Sequence, residues 1–284
     1  KVLVSAVFAN GADFGFARAG TLAPMDAALT ILCYTLQIYF DFSGYCDMAA
    51  GMARMMGISL PVNFDSPYQA VSIRDFWARW HVTLSRFFRM CVYIPLGGNR
   101  RGMAVTCRNT MIIFLVSGLW HGAGWGFIIW GGLHGVAMVI QRLCQGKVSL
   151  PRPLGWVLTF AFVNVAWVFF RADTAGQALA LLGDLFQGGW SLPSPEFAAA
   201  LPLEVLSNGL IFLQGVLQAG GRALIYWVPL LVFPVGLALL ACPNPLAQTR
   251  NFRPALWKAV LAVGCVVVSV MFFAGVDTFI YANF

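Results

Sequence analysis

Three histidines occur in the sequence, and their settings differ. His121 lies in Ser117–Gly126, SGLWHGAGWG, within a run from Asn109 to Ile140 that has no Asp, Glu, Lys or Arg. A neutral imidazole in an uncharged pocket can take a proton from a hydroxyl and later return one. Gly122 and Gly124 permit close approach of a substrate to the backbone, and Trp120 and Trp125 are spaced to wall a narrow channel. His134 sits in a second glycine-flanked stretch, GGLHG, and His81 in SIRDFWARWHVTLSRFFRM. Each histidine also has a purely structural reading, as a buried ring bonded to its surroundings.

Other polar groups interrupt apolar sequence. Asp41 and Asp47 fall in FDFSGYCDMAAGMARMMG, with Arg54 seven residues past Asp47. Ionisable residues inside a membrane usually face the protein interior and mark function. The alternative is that Asp47 pairs with Arg54 or with a neighbouring helix and fixes packing. The arginines around His81, Arg79 among them, either anchor the segment to lipid phosphates or receive an anionic donor such as coenzyme A. Gly97 and Gly98 in CVYIPLGGNRRG end a helix, and their spacing is not that of a phosphate loop. Seven scattered cysteines form neither a disulfide framework nor a zinc signature, so buried apolar packing is their expected role.

The elements that must position these groups are membrane helices. The chain has 284 residues, 60% hydrophobic and 10% charged, too much apolar surface for one water-soluble core of this length. The net charge of +7 flanks the apolar runs rather than forming a nucleic-acid motif. Uncharged runs occur at Ala27–Phe40, Asn109–Ile140, Pro153–Phe170, Ala223–Thr249 and Ala259–Val276, with Val205–Gln218 a weaker candidate. The first continues on helical spacing toward Met56, and four prolines break the fourth. Ser72 and Asp75 form an N-terminal capping pattern. The aromatic residues after it share one face of an amphipathic helix suited to the membrane interface, with His81 on that face.

Basic residues cluster at Arg74–Arg108, Arg142–Arg152 and Arg250–Lys258, while 171–204 is acidic. The positive-inside rule places the basic clusters in the cytoplasm. The His121 run then enters and leaves on one side. Its length predicts a short or re-entrant hairpin, with Gly122, Gly124 and Gly126 at the turn. The expected architecture is all-α: one polytopic transmembrane bundle over residues 1–284, with an interfacial amphipathic helix and a re-entrant hairpin.

Three segments together resemble the membrane-bound O-acyltransferase family, and within it the membrane subunits that O-acetylate bacterial polysaccharides such as alginate. They are FDFSGYCDMAAGMARMMG, LPVNFDSPYQAVSIRDFWARWHVTLSRFFRMCVYIPLGGNR and SGLWHGAGWGFIIWGGLHG. The resemblance implies that His121, in the W-H-G motif, is catalytic, and that His81, in the F-W-x-x-W-H motif, assists it. Relatives commonly have Trp-Leu-Arg-Asp where this chain reads Phe87-Phe88-Arg89-Met90. Family members are longer on the N-terminal side, so the expectation is that several helices precede residue 1; the ending FIYANF resembles their C-terminus. The implied acyl donor is acetyl-CoA, with no bound cofactor and no metal. The implied partners are membrane lipids and a periplasmic SGNH-type acetyltransferase, the acceptor being that partner's serine or the polysaccharide, in the bacterial inner membrane. Candidate substrate contacts are Trp120, Trp80 and Trp77 as aromatic walls, Arg79 for the donor, Asp41, and Asn109 and Ser117, with His134, as oxyanion donors. Two other readings stand beside this one: D-alanyl transfer by the same fold, and a non-catalytic transporter or channel subunit.

Overall fold

The computed structural model describes residues 1–201, 232–240 and 255–271, and among these no strand occurs. Helix α1 (Val2–Phe16) and helix α2 (Pro24–Met55) form an antiparallel hairpin. Ser5 Oγ donates to the Gln37 carbonyl at 3.2 Å, and Lys1 Nζ reaches Asp47 at 2.6 Å. Asp47 is thus paired to a neighbouring element. The long apolar helix expected to run through Asp41 and Asp47 is present as α2, and Gly57 ends it in the left-handed region, φ 78°. Helix α1 falls outside the uncharged runs because Asp13 interrupts it.

The single amphipathic helix expected around His81 is two helices. Helix α3 (Ile73–Arg79) has the predicted cap, Ser72 Oγ accepting from the Asp75 N–H at 3.2 Å. The chain breaks at Trp80–His81, then runs as α4 (Val82–Phe88) and a π-helical turn, Arg89–Tyr93. His81 adopts φ 44°, ψ 54°, a left-handed conformation that costs a non-glycine residue about 1–2 kcal/mol. Helical periodicity runs through this point in the sequence. The break comes from the loop before α3, whose Asn63 carbonyl accepts from the Val82 N–H while its Asp65 N–H donates to the Arg79 carbonyl.

Contacts trace the path of this segment. Arg74 N–H meets Gln141 and Trp77 meets His134, while Trp80 packs on Trp167. Phe88 then reaches Trp120, and Leu96 and Gly98 reach Asn109. Residues 73–98 therefore enter the bundle along one helix and return along another, rather than forming one straight amphipathic rod.

Helices α5 (Met103–His121) and α6 (Trp125–Leu143) make a hairpin, but each arm is long and apolar enough to cross a membrane, where a short or re-entrant hairpin was expected. Each has 19 residues, about 28 Å at 1.5 Å per residue. Both outrun half of the uncharged run because each continues through an arginine, Arg108 or Arg142, near its end, where such side chains reach toward the interface. The turn is Gly122–Gly124; Gly126 lies in the first turn of α6. A side chain at Gly118 would strike the Phe127 backbone, and one at Gly131 the Phe114 backbone, so the two helices touch main chain to main chain. Helix α7 (Arg152–Arg171) returns alongside α6, and α8 (Ala175–Asp184) and α9 (Pro195–Ala200) follow. Arg171 pairs with Asp13 at 2.7 Å, and Asp184 accepts from the Gly20 N–H at 2.7 Å, tying α7 and α8 to the first hairpin.

Helices α5, α6 and α7 are long and apolar enough to cross a membrane. A further apolar helix spans Leu256–Met271. The expected helix at Val205–Gln218, most of Ala223–Thr249 and the FIYANF ending lie outside the described residues.

Candidate active site

His81 stands at the apex of the α3–α4 break. Its Nδ1 lies 3.2 Å from Asn63 Oδ1, and Phe42 meets its ring edge-on, centroids 4.8 Å apart. The same Asn63 oxygen accepts from the Thr83 N–H at 3.1 Å and the Thr83 hydroxyl at 2.8 Å, capping α4 in place of a residue within the helix. Burial pushes the His81 imidazole down to about 4, so the ring is neutral at neutral pH.

His121 ends α5. Trp120, Trp130 and Phe170 surround it edge-on, with centroids 4.8, 5.3 and 5.0 Å away. The ring is half-buried, and among the described residues it makes no hydrogen bond, so its nitrogens are available to a reactant. A side chain at Gly122 would meet the Phe127 ring at 2.5 Å, which explains the glycine directly after the histidine. His81 directly follows Trp80 in the chain, and His121 packs against Trp130. Between them lies a continuous aromatic layer: Trp80 on Trp167 at 5.0 Å, Trp167 on Trp130 at 5.9 Å, and Trp130 on His121.

The remaining candidates divide by what already holds them. Trp120 is 57% exposed beside His121, and Ser117 is buried one helical turn before it on the same face. Trp80 is buried in the aromatic layer, stacked on Phe76. Trp77 donates from Nε1 to His134 Nδ1 at 3.1 Å. His134 is fully buried, and its Nε2 has no partner among the described residues. Asn109 spends both amide protons on the Leu96 and Gly98 carbonyls at 3.1 and 3.0 Å, fastening the glycine turn to α5. Arg79 is bound to Asp75 at 2.7 Å and to the Asp65 carbonyl. Asp41 is buried within α2.

At the end of α6 remote from His121, a groove of about 780 Å³ opens. Arg74, Arg142, Gln141 and Thr110 line it, with Leu133 and Phe162 among its apolar residues. Neither arginine is in an ion pair among the described residues. Phe162 also packs against His134 at 5.2 Å, so the groove runs toward the buried histidine layer.

Two residues at the site carry no motif of their own. Asn63 is one. Tyr68 is the other: its hydroxyl donates to the Thr35 carbonyl and accepts from Trp167 Nε1, pinning the loop to α2 and α7. Their signal is that both belong to the stretch NFDSPY, before a capped helix and within the second of the three segments that carry the family resemblance.

Comparison with known proteins covers all of these residues. The sequence profile of the membrane-bound O-acyltransferase family matches residues 7–172. The chain is similar to a peptidoglycan O-acetyltransferase of Helicobacter pylori, 50% identical over 187 residues, which is 64% of this chain and 36% of that protein. It is also similar to the probable alginate O-acetylase of Pseudomonas putida, 42% identical over 216 residues, 75% of this chain and 44% of that one. A teichoic acid D-alanyltransferase of Streptococcus thermophilus is 38% identical over 162 residues, 48% of this chain and 39% of that protein. The chain spans less than half the length of these curated relatives.

Proposed function

The chain belongs to the membrane-bound O-acyltransferase family, and from that premise we propose that it transfers an acetyl group from a cytoplasmic thioester to a hydroxyl, for O-acetylation of an extracytoplasmic glycan. The observation that carries this reading is that His81 and His121 stand at the two ends of one aromatic layer, each at a separate chain reversal. The similarity to proteins named for peptidoglycan and alginate acetylation supports a glycan as the final acceptor.

In this reading acetyl-CoA is the donor. Its anionic part lies against Arg74 and Arg142, and its acyl arm follows the groove toward the histidine layer. His121 takes the proton of the acceptor hydroxyl as that oxygen attacks the acetyl carbonyl carbon. The tetrahedral intermediate collapses, the carbon–sulfur bond breaks, and the leaving thiolate takes the proton back from the imidazolium. His81, neutral and fixed, assists at the acceptor side. The acceptor is the serine of an SGNH-type partner beyond the membrane or the polysaccharide itself, and the membrane is the bacterial inner membrane.

Topology follows from charge. Arg100, Arg101 and Arg108 lie at the start of α5, and Arg142, Lys147 and Arg152 lie between α6 and α7, so the positive-inside rule puts this end in the cytoplasm. His121 is then about 28 Å deep along α5, close to the thickness of a hydrocarbon core, about 30 Å. The hairpin enters and leaves on the cytoplasmic side and carries its glycine turn to the depth where donor and acceptor meet.

The test is His121→Ala, with glycan acetylation measured in cells while the protein is shown to remain in the membrane. Transfer falls by about 10²–10⁴-fold, the usual contribution of a positioned acid–base group. Unchanged acetylation removes His121 from the mechanism.

A further inference from the structure

The orientation of the Asn63 carboxamide is settled by its neighbours. Its oxygen faces the backbone N–H of Thr83 at 3.1 Å, and a backbone N–H can only donate. Its NH₂ points the other way, to Cys46 Sγ at 3.6 Å. The atom 3.2 Å from His81 Nδ1 is therefore an acceptor oxygen. A ring nitrogen facing an acceptor at that distance must carry the proton, and in a neutral imidazole the other nitrogen then has the lone pair.

We propose that Asn63 is a positioning residue that holds His81 in its Nδ1–H tautomer and leaves Nε2 as a fixed lone-pair acceptor in the site. The surroundings keep this arrangement in place against the cost of the left-handed backbone at His81. Four hydrogen bonds bind Asn63 to residues 81–83: its side-chain oxygen takes His81 Nδ1–H, the Thr83 N–H and the Thr83 hydroxyl, and its carbonyl takes the Val82 N–H. Phe42 blocks rotation of the ring from another side. His134 is set the opposite way. Its Nδ1 accepts from Trp77 Nε1–H at 3.1 Å, so its proton is on Nε2. One core thus holds a histidine that can only accept through its free nitrogen and another that can only donate. The consequence for transfer rests on the reading of His81 given above; the tautomer does not.

With three histidines in the chain, ¹⁵N-histidine labelling of the protein in lipid bilayers reads each tautomer directly, assigned with H81Q and H134Q. The expected spectrum shows His81 protonated at Nδ1 and His134 at Nε2. In N63A the His81 signal leaves the pure Nδ1–H form, whereas N63D, which keeps an acceptor oxygen in the same place, retains it. Acetyl transfer by N63A drops about 10²-fold, in kcat rather than KM. His81 protonated at Nε2 in the unmodified protein, or an unchanged His81 signal in N63A, overturns the inference. If the tautomer is as expected but H81Q transfers at the unmodified rate, the inference about Asn63 stands and the catalytic reading of His81 falls.

Discussion

Burial of the His81 ring makes the fold sensitive to acid. Its value is lowered from 6.5 to about 4 in the folded protein. Between those limits the unfolded chain binds the proton and the folded chain does not, so His81 destabilises the fold as the pH falls through 6.5 and toward 4. Thermal melts of the detergent-solubilised protein taken from pH 7.5 to 4.5 are expected to drop along this window, and H81Q to drop less. An equal fall in both proteins removes His81 as the cause. At this scale the sequence was informative about residue types and silent about partners. His121 and His81 stood out as candidates because a scarce residue lay in marked motifs. Asn63 was not, since a single asparagine in a loop has no periodicity. Asn109 and Arg79 were legible as polar residues, yet their donors turn inward to carbonyls and a carboxylate, which spacing alone does not reveal.

The α5–α6 hairpin owes its close packing to positions without a Cβ. Replacing Gly131 by Leu would drive a side chain into the Phe114 backbone, while Gly132 faces Leu115 at an ordinary 3.9 Å. G131L is therefore expected to cost about 1–3 kcal/mol or more and G132A to be tolerated, read as a lowered melting temperature for the first and not the second. Equal effects would mean that the helices can separate without loss. The hairpin itself was foreseeable from the uncharged run. The helix lengths were not, because an uncharged run ends at the first arginine while a helix continues past it. The α3–α4 break was hidden for a different reason: residues 73–88 have unbroken helical periodicity, and the reversal is imposed by the distant backbone of residues 63–65.

For the molecule as a whole, charge predicts sidedness. Lys147 lies at the basic end and Ala123 at the hairpin turn, both exposed. In a protein freed of native cysteines, K147C should react with an impermeant maleimide applied from the cytoplasmic side, and A123C should not. Reaction of both from that side would invert the assigned depth of His121. Membrane class followed from composition. The packing of α1 against α2 did not, since it rests on contacts such as Gly15 on Thr30 that no hydropathy run records. The near-parallel pair Trp130–Trp167, 17° apart and joining α6 to α7 beside His121, makes this layer a chromophore. Two indoles held that rigidly in a chiral frame give coupled near-ultraviolet circular dichroism, a signal lost when specific packing is lost. A variant that fails the acetylation test of the proposed function can thus report optically whether its aromatic layer has come apart or is still intact.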